Sequence, residues 1–259
     1  MPIKAVIFDL DNTLVPEMEN YGQAFVDAVA PLVAAHAIDA LELRRAVFDA
    51  SRDLWLGSPH ADRFRLLGIG SPTSMVTDLP GAPYDAIREW LPAYRREAWL
   101  RGLRTRGVID AEGLAERLDV AFRERQRAFA PPFDDALAAV RDAAGRYALV
   151  LATNGPGDVQ RRKLDASGLA AFFPVVVASG DIGLGKPDER FFAYALSAIG
   201  VRAADAISVG DSEEKDVLGA RSAGVRSVLL DRGGGGIDSH AERVIRTLDQ
   251  LASVLASID

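Results

Sequence analysis

The sequence predicts an α/β protein: a parallel-sheet core interrupted, soon after its first strand, by an all-helical domain. Three observations carry this. A short apolar run, Lys4-Ala5-Val6-Ile7-Phe8, ends abruptly in two carboxylates, Asp9 and Asp11. Residues 15–131 repeat apolar side chains at intervals of three and four and show no strand pattern. From Pro131-Pro132 onward, helical stretches alternate with short β-rich runs, the signature of βαβ units. The first strand needs that later sheet as its partner, so the helical stretch is an insertion. The core is expected to be residues 1–14 with 132–259, and the cap residues 15–131.

Composition bounds the function. A chain of 259 residues, 49% of them hydrophobic, can bury one core plus a smaller satellite. A formal charge of −7 argues against a general nucleic-acid binder, since phosphate backbones attract basic surfaces. The absence of cysteine excludes disulfides, thiolate metal sites and cysteine nucleophiles. No apolar run approaches the ~20 residues that span a bilayer, and no signal-peptide pattern precedes the first acid. No membrane partner and a cytoplasmic location are therefore expected; monomer and homodimer stay open.

In chain order, the first strand is read as buried, delivering acids to its C-terminal edge. Side chains at i and i+2 share a face while a strand lasts, so Asp9 and Asp11 are expected as neighbours. They should resist ionising unless a cation or a lysine compensates them. In the insertion, Phe25, Val29, Leu32 and Val33 form one apolar stripe, Leu43, Val47 and Leu54 a second, and Leu114, Leu118 and Phe122 a third. Breaks are expected at Gly57-Ser58-Pro59, at 68–72, at Leu79-Pro80-Gly81-Ala82-Pro83 and at 102–107, with a kink at Pro31. Trp55, Trp90, Trp99 and Tyr84 read as packing residues. Arg63, Arg65, Arg95 and Arg96 fit either a solvated helix face or contact with a polar leaving group. Beyond Pro132, helices are expected at 134–144, 157–167, 189–199 and 216–223, strands at 147–152, 174–178, 206–209 and 227–230, and a last amphipathic helix over 241–257.

In open α/β sheets ligands bind beyond the carboxyl ends of the strands, and the chemistry-bearing residues fall there. Asp9 and Asp11 follow the first strand, Thr153-Asn154-Gly155 the second, Lys186-Pro187 the third, and Gly210-Asp211-Ser212 with Asp216 the fourth. Carboxylates suit Mg²⁺. A hydroxyl, adjacent amides, a lysine and a helix N-terminus suit a phosphate. Singly, these are ordinary caps, turns and surface charges; their conjunction is what points to a site. His36, His60 and His240 are scattered and read as surface or satisfied residues. The glycine run 233–236 lacks a following Lys-Ser/Thr and reads as a connection, not a phosphate loop.

In this order the residues resemble the haloacid dehalogenase (HAD) superfamily of hydrolases, phosphatase branch. The motifs are Asp9-Leu10-Asp11-Asn12-Thr13, the strand-final Thr153, Lys186, and Gly210 to Asp216. The resemblance implies a HAD-like, Rossmann-like core with a helical C1-type cap that contributes substrate selectivity. It further implies a Mg²⁺-dependent phosphomonoester hydrolase that forms an aspartyl-phosphate on Asp9, with Asp11 as general acid and base. By the family pattern, the Asp9 carboxylate, the Asp11 main-chain carbonyl and Asp211 hold Mg²⁺, and Gly210 and Asp216 support them. Lys186, Thr153 and the amide of Asn154 hold the phosphoryl group, while Thr13 orients the motif. Thr153-Asn154-Gly155 followed by Gln160-Arg161-Arg162-Lys163-Leu164 is similar to the group containing acylneuraminate phosphatase and pyrimidine nucleotidases. The expected substrate is a small phosphomonoester, a sugar phosphate or a nucleoside monophosphate. Alternatives on the same fold are a 2-haloacid dehalogenase, against which Asp11 speaks, a phosphomutase, and a non-catalytic binder of a phosphorylated ligand.

Overall fold

The computed structural model describes residues 2–36, 38–81, 84–108, 112–128, 131–236 and 238–258. Two compact units emerge, Met1–Pro16 with Pro131–Asp259, and Glu17–Ala130. The first is built on a six-stranded, wholly parallel sheet: β1 (Ala5–Phe8), β2 (Ala148–Thr153), β3 (Val175–Ala178), β4 (Ala206–Gly210), β5 (Arg226–Leu230) and β6 (Arg243–Ile245). Their spatial order is β3-β2-β1-β4-β5-β6. Ala5 of β1 pairs with Ala148 on one side and Ala206 on the other. Strand order therefore reverses at β1, and that switch point is where sheets of this kind open a crevice for ligands.

Both faces of the sheet are covered, which explains strands that read as continuous apolar runs. Val6 and Phe8 pack with Ala136 and Val140 of α7 (Ala136–Ala144) and with Leu251 and Leu255 of α12 (Leu251–Ile258). Ala5 and Ile7 face the other way, toward Phe191, Phe192 and Ala195 of α10 (Glu189–Ile199) and Ala220 of α11 (Gly219–Ser222). Between β2 and β3 lies α8 (Gly157–Ala166), and β3 is followed by the short α9 (Ser179–Ile182).

The second unit holds α1 (Glu17–His36), α2 (Ala40–Leu56), α3 (Ala61–Leu66), α4 (Ser71–Ser74), α5 (Asp85–Thr105) and α6 (Glu112–Ala128). Its core centres on Trp99, fully buried and stacked on Phe25 at 5.0 Å, with Phe122 edge-on to both. Tyr84 is buried, Trp90 stacks on Tyr94 at 4.4 Å and Trp55 on Phe64 at 5.9 Å. Arg65 and Arg96 pair with Asp62 and Glu116 on solvated faces. Arg95 is buried instead and donates to the Thr77 carbonyl, its pKa drawn down to about 10 by burial. No helix among the described residues is long and apolar enough to cross a membrane.

Three expectations give way. Residues 241–257 are not one helix: β6 comes first, then a turn capped reciprocally by Thr247 and Gln250, then α12. A three-residue edge strand with Arg243 and Val244 exposed shows no period that a sequence reading can detect. The stretch 216–223 is split into a π-turn, Glu213–Leu218, and α11. The third, the break at 102–107, gives way in its first part: α5 runs through Gly102 to Thr105, and the turn comes at Arg106 and Gly107. A β-carbon at Gly102 would lie 2.3 Å from Cγ2 of Val47, so this glycine permits close approach of α2 and α5 and does not end a helix. Of the break at 79–83, Ala82 and Pro83 lie outside the described residues, as does the side chain of His36.

Candidate active site

β1 stops at Phe8, and the Asp9 N–H donates to the Val209 carbonyl at 3.0 Å. The chain then turns sharply, Asn12 donating to the Val15 carbonyl at 2.7 Å from a left-handed backbone with φ of +60°, a conformation asparagine tolerates. This turn ends the strand alternation and sends the two leading acids to different partners. Asp9 Oδ1 accepts from Lys186 Nζ at 2.6 Å. Asp11 accepts from Lys163 Nζ at Oδ1, 2.7 Å, and from Gln160 Nε2 at Oδ2, 2.8 Å. Each acid thus meets a lysine, the compensation expected for carboxylates so placed.

Lys186 is buried and donates also to Asp216 Oδ1 at 2.6 Å. The other Asp216 oxygen accepts from the Ser212 N–H at 3.1 Å. Asp9, Asp211 and Asp216 bring one carboxylate oxygen each within 4.8 Å of one another; the Asp11 carboxylate is not among them. Burial pushes the Asp9 carboxyl up to about 8, Lys186 opposing and Asp216 and Asp211 reinforcing the shift. Burial and then Asp216 push Asp211 up to about 6. For Lys186, burial opposes the charge, but Asp216 and Asp9 outweigh it and raise its pKa. Three hard oxygen donors gathered around one ammonium leave uncompensated negative charge, and the donor set fits Mg²⁺.

Gly210 makes this cluster possible. A β-carbon there would stand 2.2 Å from Cγ of Asp216, so the acid folds back over the end of β4 only because residue 210 has no side chain. Gly210→Ala is expected to cost about 1–3 kcal/mol, the usual range for overpacking, or several degrees of Tm in thermal unfolding. A Tm equal to wild type would show that Asp216 moves aside freely.

At the end of β2, the buried Thr153 hydroxyl accepts from Gln160 Nε2 at 2.6 Å and lies 3.4 Å from the Asn154 carbonyl. The Asn154 side chain is committed to the Lys186 main chain, donating to its carbonyl and accepting from its N–H, both at 2.8 Å. It fixes the lysine, and what Asn154 can offer a ligand is its main chain. Thr13 is fully buried with its hydroxyl unpartnered among the described residues. The Thr13 carbonyl accepts from Arg232 Nη2 at 3.0 Å, and that guanidinium also binds both Asp135 oxygens, at 2.8 and 3.0 Å, and covers the Phe133 ring at 3.8 Å. Burial works against the Asp135 carboxylate, yet Arg232 and the Leu248 N–H hold its pKa below the usual range. Two glycines of the 233–236 run aim their N–H groups at Asp231, at 3.4 and 3.3 Å, so this loop faces the chain's own carboxylate. His240 pairs with Glu213 at 2.9 Å.

Gln160 and Lys163 were not among the residues expected in the site. Their signal was available: three residues apart on the helix that opens after Thr153, they share the face turned back toward the strand ends.

The family model for haloacid dehalogenase-like hydrolases matches residues 3–224. The chain is 34% identical to a phosphoserine phosphatase of Thermus thermophilus over 232 residues, covering 89% of this chain and 90% of that one. It is 28% identical to a glyceraldehyde 3-phosphate phosphatase of Methanopyrus kandleri over 235 residues, 89% and 85% of the two chains. Among solved structures, a 2-haloacid dehalogenase of Pseudomonas syringae superposes with a TM-score of 0.61 at 26% identity, over 99% of this chain and 100% of that one. The sheet order, the acids and lysine at its switch point and these likenesses agree: the chain belongs to the haloacid dehalogenase-like hydrolases.

Proposed function

We propose that the chain hydrolyses small phosphomonoesters through an aspartyl-phosphate on Asp9, with sugar phosphates, nucleoside monophosphates and phosphorylated hydroxy acids as the substrates to try first. The observation that carries this reading is the separate pairing of Asp9 with Lys186 and Asp11 with Lys163. A departing halide needs no proton, so a dehalogenase has no use for a second carboxylate held apart from the nucleophile. An alkoxide leaving phosphorus does need one. Asp9 attacks phosphorus, dividing one hard displacement into two easier ones. Asp11 protonates the leaving oxygen and then takes a proton from the water that opens the intermediate. Lys186, the Thr153 hydroxyl and the Asn154 main-chain N–H hold the phosphoryl oxygens. Asp9, Asp211 and the Asp11 main-chain carbonyl would hold Mg²⁺, with Asp216 steadying Lys186 beside them. Bound there, Mg²⁺ supplies positive charge against the phosphoryl oxygens.

The likeness to a 2-haloacid dehalogenase supports a second reading, halide displacement by Asp9. Assaying phosphate and halide release in parallel, over a panel of phosphomonoesters and 2-haloacids, separates the two. Phosphate release that vanishes with chelator and returns with Mg²⁺ is the expected result; halide release in its place would overturn the proposal.

The raised carboxyls give this a pH signature. Asp9 and Asp211 sit at about 8 and 6, above the ordinary 3.8, so between those values the folded protein binds more protons than the unfolded chain. Stability of the metal-free protein should therefore fall as pH rises from about 4 to 8. A cation that offsets the ionised acids recovers it, and the Tm gain on adding Mg²⁺ should be larger at pH 8 than at pH 6. A gain that shrinks with rising pH would remove Mg²⁺ from this cluster.

A further inference from the structure

Behind the proposed reacting groups lies a buried pair of side chains from a single helix. Gln160 is 0% and Lys163 4% exposed, and both project from α8 onto the end of the sheet. The single amide nitrogen of Gln160 reaches Thr153 Oγ1 at 2.6 Å, Asp11 Oδ2 at 2.8 Å and the Asn154 carbonyl at 3.1 Å. Lys163 Nζ holds the other Asp11 oxygen at 2.7 Å. Gln160 Oε1 is buried without a hydrogen-bond partner among the described residues, so this amide is used there for its donors.

Resting on the phosphatase reading, we infer that Gln160 and Lys163 are positioning residues that lock the Asp11 carboxylate to the Thr153 hydroxyl. The hydrogen-bond arithmetic supports both halves. With both its oxygens taken by donors from one rigid helix, Asp11 has its carboxylate plane fixed, as a group exchanging protons at a defined atom requires. Thr153 receives an N–H from Gln160, and among the described residues its own proton finds the Asn154 carbonyl at 3.4 Å, a poor acceptor at that distance. The hydroxyl is thereby left as a donor, the role an anionic phosphoryl oxygen calls for. The helix carrying the pair opens at Gly157, shortly beyond Thr153, so one element holds the two groups in register.

Lys163→Met, Lys163→Arg and Gln160→Leu separate these roles. Lys163→Met is expected to lower kcat on an alkyl phosphate roughly tenfold to a hundredfold, the size usual for residues that orient a reacting group. Its KM should stay within about twofold of wild type, and Lys163→Arg should restore most of the loss. Gln160→Leu should lower kcat and also raise KM, because Thr153 loses the partner that makes it a donor. A kcat unchanged in Lys163→Met, or a loss that Lys163→Arg does not relieve, overturns the inference. If wild type releases no phosphate from any ester, the phosphatase reading fails independently. The linkage is then decided by the ¹⁵N side-chain amide signal of Gln160. That signal must move in both Asp11→Asn and Thr153→Ala; a signal indifferent to either refutes it.

Discussion

Asp9→Asn is expected to abolish phosphate release while leaving the Tm at or above that of wild type. An amide cannot form the acyl-phosphate bond, and removing the nucleophile from a machinery that works as a unit costs on the order of 10⁴ to 10⁶ in kcat. Stability should not suffer, because the wild-type carboxyl is held far above its ordinary range by burial and by Asp216 and Asp211. The amide has the same shape, keeps an oxygen for Lys186 and carries no charge to bury. Intact-mass spectrometry after mixing with substrate should find no phosphorylated protein. Turnover within about tenfold of wild type would end the covalent mechanism.

Asp11→Asn should divide substrates by their leaving groups. General acid and base assistance is worth about 10² to 10⁴ in rate, and an alkyl phosphate should lose about that factor. With p-nitrophenyl phosphate the nitrophenolate departs unprotonated, so the first step is spared and opening of the aspartyl-phosphate becomes limiting. Stopped-flow mixing should then show a burst of nitrophenolate stoichiometric with enzyme. Equal slowing of both substrates, with no burst, would make Asp11 a purely structural residue. Because Lys163 is buried against this carboxylate, the variant's Tm belongs beside its kinetics.

What was legible in the sequence was local. The apolar runs mark the strands, and the acids, the threonine and the lysine that follow four of them gain meaning only together, as the sheet order gathers those strand ends. What was not legible depends on contacts between segments far apart in the chain. Spacing can put Gln160 and Lys163 on one face of α8, but it cannot name Asp11, on the far side of the helical insertion, as their partner. Nothing in the sequence assigns a task to the Asn154 side chain, whose two bonds to the Lys186 main chain join segments 32 residues apart. Gly102 looks like a helix breaker because sequence cannot show Val47 pressing against it. In each case tertiary contact, not propensity, decides the residue's role.

The sheet order also dictates a timetable for synthesis. β1 is made first yet occupies the middle of the sheet, and its neighbours Ala148 and Ala206 leave the ribosome long afterwards. Non-local pairing of this kind folds slowly. The helical stretch between them finds its partners within residues 17–130 and can close while β1 is still waiting. The acid-bearing loop is thus drawn into place only when β4 arrives, the Asp9 N–H bonding the Val209 carbonyl, so the proposed nucleophile is in the nascent chain long before it has the surroundings that would make it one.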